Sequence, residues 1–358
     1  MSYPATYSAW RRSAGTRSSV EKPLTLHLRH DERLPQPQEL GPHDVVVKIH
    51  AVSLNYRDIT MLTGVYPFPL EDGGVPCSDA SGEVVATGEA VVRFAVGDRV
   101  IPVAGIQSLG ATDGQEPANL GVGAPGMLRE YAVCREGHLV AMPKNLSWEE
   151  GATLSCAGLT VWNSLEGLRD APENAVALFQ GTGGVSMIGL AICIAVGVRV
   201  IITSSSDEKL EAVKKLSPLV QGINYKTTKS IPEEVKRLTD GRGVNYVVST
   251  AGFAGLIDDL ESLADSGTIA LVGAFGGMDA NWHPAQLATL ILKRAKMRGI
   301  MMGTMKDFEE MNRFIEDKKV RLDAAIHGTS FAFAEAKDAY ALLASGNFRG
   351  KIVIKVAQ

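Results

Sequence analysis

Cysteine is scarce and scattered in this sequence. Its 358 residues contain no Cys-x-x-Cys pair and no cluster of cysteine with histidine. The cysteines are Cys77, Cys134, Cys156 and Cys193. This pattern argues against a disulfide framework and against a structural zinc knuckle. We therefore expect a protein of a reducing compartment and predict a cytoplasmic location.

Long hydrophobic runs and a strong excess of one charge are lacking as well. The longest apolar stretch, residues 185–198, is too short to span a bilayer, and Gly189 and Gly197 interrupt it. The net charge of -4 provides no electrostatic footprint for nucleic acid or an anionic membrane. We expect neither of these partners.

The residue pattern changes near residue 150. Residues 24–140 contain short β-branched runs, such as VVVKIHAV at residues 45–52, separated by Gly and Pro, which predicts a β-rich domain. From residue 151, continuously apolar strand candidates alternate with helix candidates, which is typical of a parallel sheet covered on both faces. Length and pattern together predict an α/β protein of two domains.

A glycine-rich turn follows the first of these strands. Residues 176–189 read VALFQGTGGVSMIG, where Gly181-x-Gly183-x-x-Ser186 is a dinucleotide fingerprint with serine in the third place. The first glycine permits a tight turn, the second lets the backbone approach a pyrophosphate, and the small serine keeps the helix close to the strand. The N–H groups that begin the helix attract phosphate. We expect the cofactor to contact Gly181, Thr182, Gly183, Gly184 and Val185.

The choice of cofactor depends on the end of the second strand, about twenty residues further on. An NAD site has a carboxylate there, but residues 203–206 are Thr-Ser-Ser-Ser, and Lys209 follows one helical turn later. The hydroxyls of Ser204 and Ser205 and the ammonium of Lys209 suit a 2′-phosphate, which a carboxylate would repel. The pattern favours NADPH. Ser206 before two acidic residues is also an ordinary helix N-cap, and both interpretations can hold together.

These motifs and others in the same order resemble the medium-chain dehydrogenase/reductase superfamily. The matching segments are VSLNYRD (52–58), GEVVATGEAVVRFAVGDRV (82–100), LREYAV (128–133), LSCAGLTVWNSL (154–165), GTGGVS (181–186), TSSSDEKL (203–210), INYK (223–226) and GKIVI (350–354). The resemblance implies a GroES-like β-rich domain plus a Rossmann domain with a doubly wound parallel sheet, and an active site in the cleft between them. It also implies that residues 1–150 form the GroES-like domain, residues 151–303 form the dinucleotide-binding domain, and residues 304–358 complete the first.

Zinc-dependent members of this superfamily differ at the positions of the metal ligands. Asn55 stands where the resemblance implies a cysteine, Ser78 stands where it implies a histidine, and only Cys156 matches a ligand. Residues 104–127, which correspond to a lobe with four structural cysteines, contain no cysteine. The chain therefore resembles the zinc-independent, quinone oxidoreductase-like branch, and we expect no metal.

The resemblance also implies catalytic candidates. Asn55 matches an asparagine beside the cofactor, and its amide could donate to a substrate carbonyl or contact the nicotinamide ribose; capping of a local turn is the alternative. Tyr66 matches a cleft tyrosine that could donate a proton, or it anchors its loop. Tyr56, a second phenol beside Asn55, is a further candidate, although it could instead belong to the core.

Several other positions match cofactor contacts of the family. Thr160 matches a threonine near the nicotinamide, or it bonds back to a helix carbonyl. Tyr225 and Lys209 match residues around the adenosine 2′-phosphate, and Tyr225 could instead pack on the sheet. Lys351 could touch the cofactor or lie on the surface. Backbone bordering the nicotinamide is expected at Gly273, Ala274 and Phe275.

The residues at these positions favour one reaction. Without a metal as Lewis acid, deprotonation of a simple alcohol is difficult, whereas hydride transfer to an electron-poor C=C bond needs only hydrogen-bond donors and a proton. We predict an NADPH-dependent, zinc-independent oxidoreductase whose substrate is a small enone or quinone. The alternatives are a zinc-less alcohol or carbonyl dehydrogenase and an NADPH-binding protein with little turnover. Residues 297–302 (MRGIMM) could pair edge to edge with a second copy, so we expect a homodimer unless this edge is covered.

Overall fold

The computed structural model describes residues 3–13, 23–105, 119–273 and 281–357. The strands are β1 (Thr6–Arg12), β2 (Leu26–Arg33), β3 (Asp44–Ser53), β4 (Asp79–Thr87), β5 (Arg99–Pro102), β6 (Tyr131–Arg135), β7 (Leu139–Ala141), β8 (Val176–Gln180), β9 (Arg199–Ser204), β10 (Val220–Asn224), β11 (Val244–Ser249), β12 (Leu263–Leu271), β13 (Lys296–Gly299), β14 (Phe331–Ala332) and β15 (Val353–Lys355).

The α-helices are α1 (Tyr56–Thr63), α2 (Trp148–Gly151), α3 (Leu159–Ser164), α4 (Gly184–Ala195), α5 (Asp207–Lys214), α6 (Ile231–Leu238), α7 (Leu256–Ser262), α8 (Ala288–Leu292), α9 (Met305–Asp317) and α10 (Ala336–Ser345). A π-helical turn, Leu154–Gly158, precedes α3. In the described ranges, none of the helices combines the length and the apolar character that crossing a bilayer requires.

The chain divides into two compact units. The first contains Met1–Ala157 and Thr304–Gln358, and the second contains Gly158–Gly303. The two segments of the first unit are far apart in the chain, so the C-terminal segment returns to elements formed by the N-terminal one.

The first unit contains a seven-stranded sheet in the order β14-β15-β3-β4-β5-β7, and β6 also pairs with β3. Val45, Val47 and Ile49 of the central strand β3 are fully buried in the core, as β-branched side chains on a pleated surface commonly are. The C-terminal strand β15 pairs antiparallel with β3, with Val353 opposite Ser53. This pairing holds the segment before β15 beside the segment after β3.

The second unit contains six parallel strands in the order β10-β9-β8-β11-β12-β13. Numbered within the unit, the order is 3-2-1-4-5-6, which is that of dinucleotide-binding sheets. Residues 176–179 of β8 are all buried, as expected of a strand covered on both faces. The doubly wound parallel sheet predicted from the sequence is confirmed.

Some element boundaries differ from the predicted ones. The sequence pattern from residue 268 to 273 predicts a strand, but the observed strand β12 already begins at Leu263 and ends at Leu271. The edge strand β13 ends at Gly299 rather than near residue 302, where Met302 has a positive φ of 57° that a strand does not accommodate. Residues 104–127 are rich in Gly and Pro, which predicts a long loop, and residues 106–118 of this segment lie outside the described ranges.

Candidate functional site

A cleft opens in the second unit where β8 and β11 end. These strands are neighbours on either side of the change in strand order, which is where open parallel sheets bind ligands. The cleft has a volume of about 460 Å³. It is lined by Leu178, Gln180, Gly181, Thr203, Tyr225, Ile231, Thr250, Ala251, Gly255, Asp258 and Asp259.

The predicted glycine turn forms one wall of this cleft. Gly181 has a φ of 74°, which favours glycine, and its N–H donates to Thr203 Oγ1 at 3.3 Å. A Cβ atom at Gly181 or Gly183 would meet no other atom within 4 Å, so open space lies over the backbone of the turn. Ser186 Oγ donates to the carbonyl of Gln180 at 3.0 Å, which ties the helix to the preceding strand.

The first turn of α4 presents backbone N–H groups without a side-chain cap. Gly183 is its N-cap residue, and Gly184 and Val185 are its first residues, while the preceding Thr182 is buried. Since glycine has no side chain to accept these donors, they and the positive end of the helix dipole are available to an anion.

The second strand of the unit ends in hydroxyls. Ser204 is buried, and its Oγ accepts the N–H of Ser206 at 3.2 Å, whereas Ser205 is exposed. Ser206 Oγ accepts the N–H of Lys209 at 3.2 Å, which confirms the predicted N-cap of α5. Tyr225 is 51% exposed and lines the cleft, so it is not buried in sheet packing.

Gln180 and Asp259 form a network at the base of the cleft that we did not predict. Gln180 Oε1 accepts the N–H groups of Thr250 at 2.8 Å and Ala251 at 2.9 Å. Its Nε2 donates to Asp259 Oδ1 at 2.7 Å. Burial raises the pKa of Asp259 to about 6. Gln180 directly precedes the glycine turn, but nothing in the residue pattern distinguishes Asp259 from its acidic neighbour Asp258.

The remaining cofactor candidates of this unit lie in different places. The backbone of Gly273 lies close to that of Thr250. A Cβ atom at Gly273 would come within 2.2 Å of the Thr250 carbonyl oxygen. Thr160 is buried in α3, where its carbonyl accepts Ser164 Oγ at 2.8 Å. Ala274 and Phe275 are outside the described residues.

In the first unit, the side chain of Lys351 connects two segments of the chain, one that contains Asn55 and one that contains Asp79. Its ammonium donates to Asn55 Oδ1 at 2.7 Å and to Asp79 Oδ2 at 3.2 Å. Lys351 is 3% exposed and Asp79 is 0% exposed, so the cation is not the surface lysine that the sequence allowed. The contact arises from the β15–β3 pairing, which continues as a bond from Leu54 N–H to the Ile352 carbonyl at 3.0 Å.

Asn55 is also the N-cap residue of α1, which was the alternative to a catalytic role. Its backbone N–H donates to Asp58 Oδ2 at 2.7 Å. The carboxamide Nδ2 is inaccessible to solvent and has no hydrogen-bond partner among the described residues. The backbone of Asn55 therefore starts the helix, while the amino group of its side chain is left to bind something else.

The two tyrosine candidates differ in environment. Tyr56, a catalytic candidate, is 62% exposed at the start of α1, which excludes the alternative that it belongs to the core. Tyr66 is half-buried and hydrogen-bonded to Arg57. Burial raises the pKa of the Tyr66 phenol, and the nearby Arg57 charge opposes this rise.

Arg57, which we did not predict as a site residue, interacts with Tyr66, Asp58 and Cys156. Burial acts to lower the pKa of Arg57, but attraction to Cys156, Asp58 and Tyr66 outweighs it and raises that pKa. Burial raises the pKa of the Cys156 thiol to about 12. Arg57 and Asp58 belong to the VSLNYRD segment, but their burial follows from the tertiary packing.

Comparison with known proteins finds a family match in each of the two units. Residues 41–144 match the alcohol dehydrogenase GroES-like domain, which confirms the predicted GroES-like domain. Residues 184–317 match the family described as zinc-binding dehydrogenase. A zinc-type alcohol dehydrogenase-like protein of Schizosaccharomyces pombe is 38% identical over 91% of this chain and 94% of the relative. An acryloyl-coenzyme A reductase of Sulfurisphaera tokodaii is 26% identical over 90% of this chain and 95% of that protein.

Solved structures with the same fold include dehydrogenases and a quinone oxidoreductase. An NAD-dependent alcohol dehydrogenase superposes with a TM-score of 0.81 at 30% identity, over 97% of this chain and 100% of the other. A quinone oxidoreductase of Pseudomonas syringae pv. Tomato superposes with a TM-score of 0.74 at 25% identity, over 97% of this chain and 100% of the other.

Proposed function

The chain belongs to the medium-chain dehydrogenase/reductase superfamily, and on this premise we propose that it is an NADPH-dependent, zinc-independent reductase of activated C=C bonds in enones or quinones. The observation that carries the proposal is the buried ammonium of Lys351, bonded to Asp79 and to Asn55, which stands where the resemblance implies a zinc-binding cysteine. The acryloyl-coenzyme A reductase and the quinone oxidoreductase with this fold support reduction of a polarised acceptor.

The donor set in the first unit does not fit a zinc ion. Asn55 offers an amide oxygen that already accepts from Lys351, and Ser78 Oγ donates to Asp79 Oδ1 at 2.8 Å. Cys156 would be a single thiol ligand, whereas a protein zinc site needs several protein ligands. Among the residues the structure describes, no group of three His, Cys, Asp or Glu side chains has a geometry suited to a metal. A divalent ion would also be repelled by the adjacent ammonium.

The second unit fits a dinucleotide. The open space over Gly181 and Gly183 leaves room for a diphosphate, and the uncapped N-terminus of α4 supplies donors for it. Residues 203–206 contain no carboxylate that would repel a 2′-phosphate, and Ser205 and Tyr225 are exposed at that end of the sheet. These features support NADPH as the cofactor. When bound, it supplies the hydride.

Two side chains of the first unit would assist hydride transfer. Asn55 Nδ2 is a donor without a protein partner and could stabilise negative charge that develops on an acceptor oxygen. Because its pKa is raised by burial, the Tyr66 phenol keeps its proton at neutral pH and could deliver it to the reduced substrate.

The proposal is tested by NADPH consumption with a panel of enones, quinones, aldehydes and alcohols, together with metal analysis of the purified protein. We expect turnover with enones or quinones, no dependence on zinc and a lower kcat for Tyr66→Phe. Tyr7→Phe is the matched control, because Tyr7 packs edge-on against Tyr131 and has no place in the proposed chemistry. Stoichiometric zinc, or NADPH binding without turnover of any acceptor, would contradict the proposal.

A second candidate function is oxidation or reduction at an alcohol or carbonyl centre. The names of the S. pombe relative and of the NAD-dependent alcohol dehydrogenase structure favour it. Turnover with aldehydes or alcohols alone in the same panel would select this reaction.

We also propose a homodimer formed through the edge of the six-stranded sheet. β13 is the terminal strand of that sheet, and large apolar side chains lie exposed near it: Ile291 at 80%, Leu292 at 78% and Met301 at 59% exposure. An open strand edge beside such a patch favours pairing with a second copy. Light scattering should show a dimer that Leu292→Asp dissociates, whereas Val92→Asp, at an 87% exposed position of the other unit, leaves it intact.

A monomeric wild-type protein, or equal dissociation of both variants, would overturn the assignment of this surface.

A further inference from the structure

We infer that Lys351 is a positioning residue, which holds the carboxamide of Asn55 so that its amino group is presented to an oxygen acceptor of the bound ligand. The inference rests on the proposed function for the identity of that ligand. Its structural basis is one buried ammonium that donates both to the buried Asp79 and to the partly buried Asn55.

The backbone around Lys351 is held on both sides. Its N–H donates to the Ala325 carbonyl at 2.8 Å, and its carbonyl accepts the N–H of His327 at 2.8 Å. The preceding Gly350 has a φ of 74°, and a Cβ there would come within 2.2 Å of the Ala325 carbonyl oxygen. The root of the lysine side chain is therefore fixed before its ammonium reaches Asn55.

The chemistry of the ammonium decides the orientation of the amide. A lysine ammonium has three donors and no acceptor, so only the oxygen of the Asn55 carboxamide can face it favourably. The two ends of an asparagine amide have nearly the same shape, and without a donor-only neighbour either end could occupy either place. Asp79 Oδ2 lies 3.2 Å from the ammonium, and this opposite charge offsets part of the cost of burying the cation.

The other end of the amide lacks a partner. Asn55 Nδ2 is buried and makes no hydrogen bond to the described residues. An unpaired buried donor is unfavourable, and a ligand that accepts from it removes this cost. The shared chemistry of the expected ligand is a neutral oxygen acceptor, which is either the carbonyl of the substrate or a hydroxyl of the nicotinamide ribose.

Asn55→Asp separates the positioning role from a structural one. The aspartate keeps the shape, caps a helix as well as asparagine does and accepts from Lys351, but it has no N–H donors. We expect the variant to lose about tenfold or more in kcat/KM, because the donor is gone. Its melting temperature reports separately the cost of a second carboxylate beside Asp79.

The role of Lys351 itself is tested in a variant that also lacks the Asp79 charge, because Lys351→Met alone would leave the buried Asp79 carboxylate without its cation. The double variant Asp79→Asn with Lys351→Met removes both charges and releases the amide. We expect it to lose kcat/KM to the same extent as Asn55→Ala, with no further loss when the three changes are combined. The single variant Lys351→Arg, in which Asp79 is unchanged, should keep much of the wild-type activity. Lys355→Met removes a 52% exposed lysine four positions along the chain and should change nothing.

Two readouts identify the acceptor. NADPH affinity, measured by quenching of tryptophan fluorescence, falls in Asn55→Asp if the acceptor is the ribose and is unchanged if it is the substrate carbonyl. Full activity of Asn55→Asp, or additive losses for Asn55→Ala and the double variant, would overturn the inference. If the wild-type protein reduces no enone or quinone, the proposed function fails, and the NADPH affinities of the same variants still test Lys351.

Discussion

The carboxamide of Gln180 bridges two parts of the cleft in the second unit, and its Nε2 donates to Asp259 Oδ1 at 2.7 Å. Its oxygen accepts from the backbone of Thr250 and Ala251, so the amide orientation is fixed. The carboxylate that it faces is 2% exposed, and burial raises its pKa to about 6.

This raised pKa makes stability depend on pH. Between the pKa of an unfolded aspartate, about 4, and the folded value of about 6, the folded protein binds a proton that the unfolded chain does not. The stability contributed by Asp259 is therefore present below about pH 4 and is lost as pH rises through 6. Asp259→Asn keeps an acceptor for Gln180 and should stabilise the protein at pH 8 by about 3 kcal/mol, but not at pH 4.

Thermal unfolding at a series of pH values measures this difference. The control is Asp170→Asn, at an exposed position in the same unit, which should not change the slope. Parallel curves for wild type and Asp259→Asn would contradict the prediction.

Substitution of Gly181 should weaken NADPH binding by more than backbone strain explains. Gly181 and Gly197 have φ values of 74° and 78°, and a Cβ at either meets no atom within 4 Å. Alanine at either position costs about 1–2 kcal/mol of stability. Only Gly181→Ala places a methyl group over the turn where we expect the diphosphate, so only this variant should lose about tenfold or more in affinity.

Titration of both variants with NADPH, followed by tryptophan fluorescence, distinguishes the two effects. Equal affinities for Gly181→Ala and Gly197→Ala would mean that the diphosphate lies elsewhere.

A carboxylate at Ser205 should reverse the cofactor preference. Ser205 is exposed at the end of β9, and a negative charge there would repel a 2′-phosphate and accept from a 2′-hydroxyl. We expect Ser205→Asp to weaken NADPH by about tenfold and to strengthen NADH, whereas the neutral Ser205→Asn leaves NADPH preferred. The measurement is kcat/KM with each dinucleotide; an unchanged ratio in the aspartate variant would argue against NADPH selection at this position.

Replacement of Cys156 should not affect catalysis. Burial raises the pKa of its thiol to about 12, so the free thiol is protonated at pH 7–8 and is a poor nucleophile. We expect Cys156→Ser to retain the kcat/KM and the metal content of the wild type. Cys134→Ser is the matched control, since burial raises the pKa of that thiol to about 11. Selective loss of activity together with bound zinc in Cys156→Ser would contradict zinc-independent chemistry.

Features formed over a few residues were predictable from the residue pattern. The left-handed conformation of Gly181 and the Ser206 cap of α5 depend on neighbouring backbone atoms, and the structure contains both. The parallel sheet was also predictable, since continuously apolar strands alternating with helices have few other ways to bury their side chains.

The ends of helices and strands, and the burial of individual side chains, were less predictable from the sequence. The sequence allowed Lys351 to lie on the surface and Tyr56 to lie in the core, and the structure shows Lys351 buried and Tyr56 exposed. Neither outcome follows from residue type, because burial of a lysine depends on whether a carboxylate meets it in the folded chain.

By itself, the sequence determined the fold class, the glycine turn and the cap that follows the second strand, because each depends on short-range sterics or on a repeating pattern. Tertiary structure alone decided that Lys351 meets Asn55 across 296 positions and that Gln180 meets Asp259 across 79 positions. The physical reason is that strand register and helix packing set these distances, and a one-residue shift in register would turn the side chains to the opposite face of the sheet.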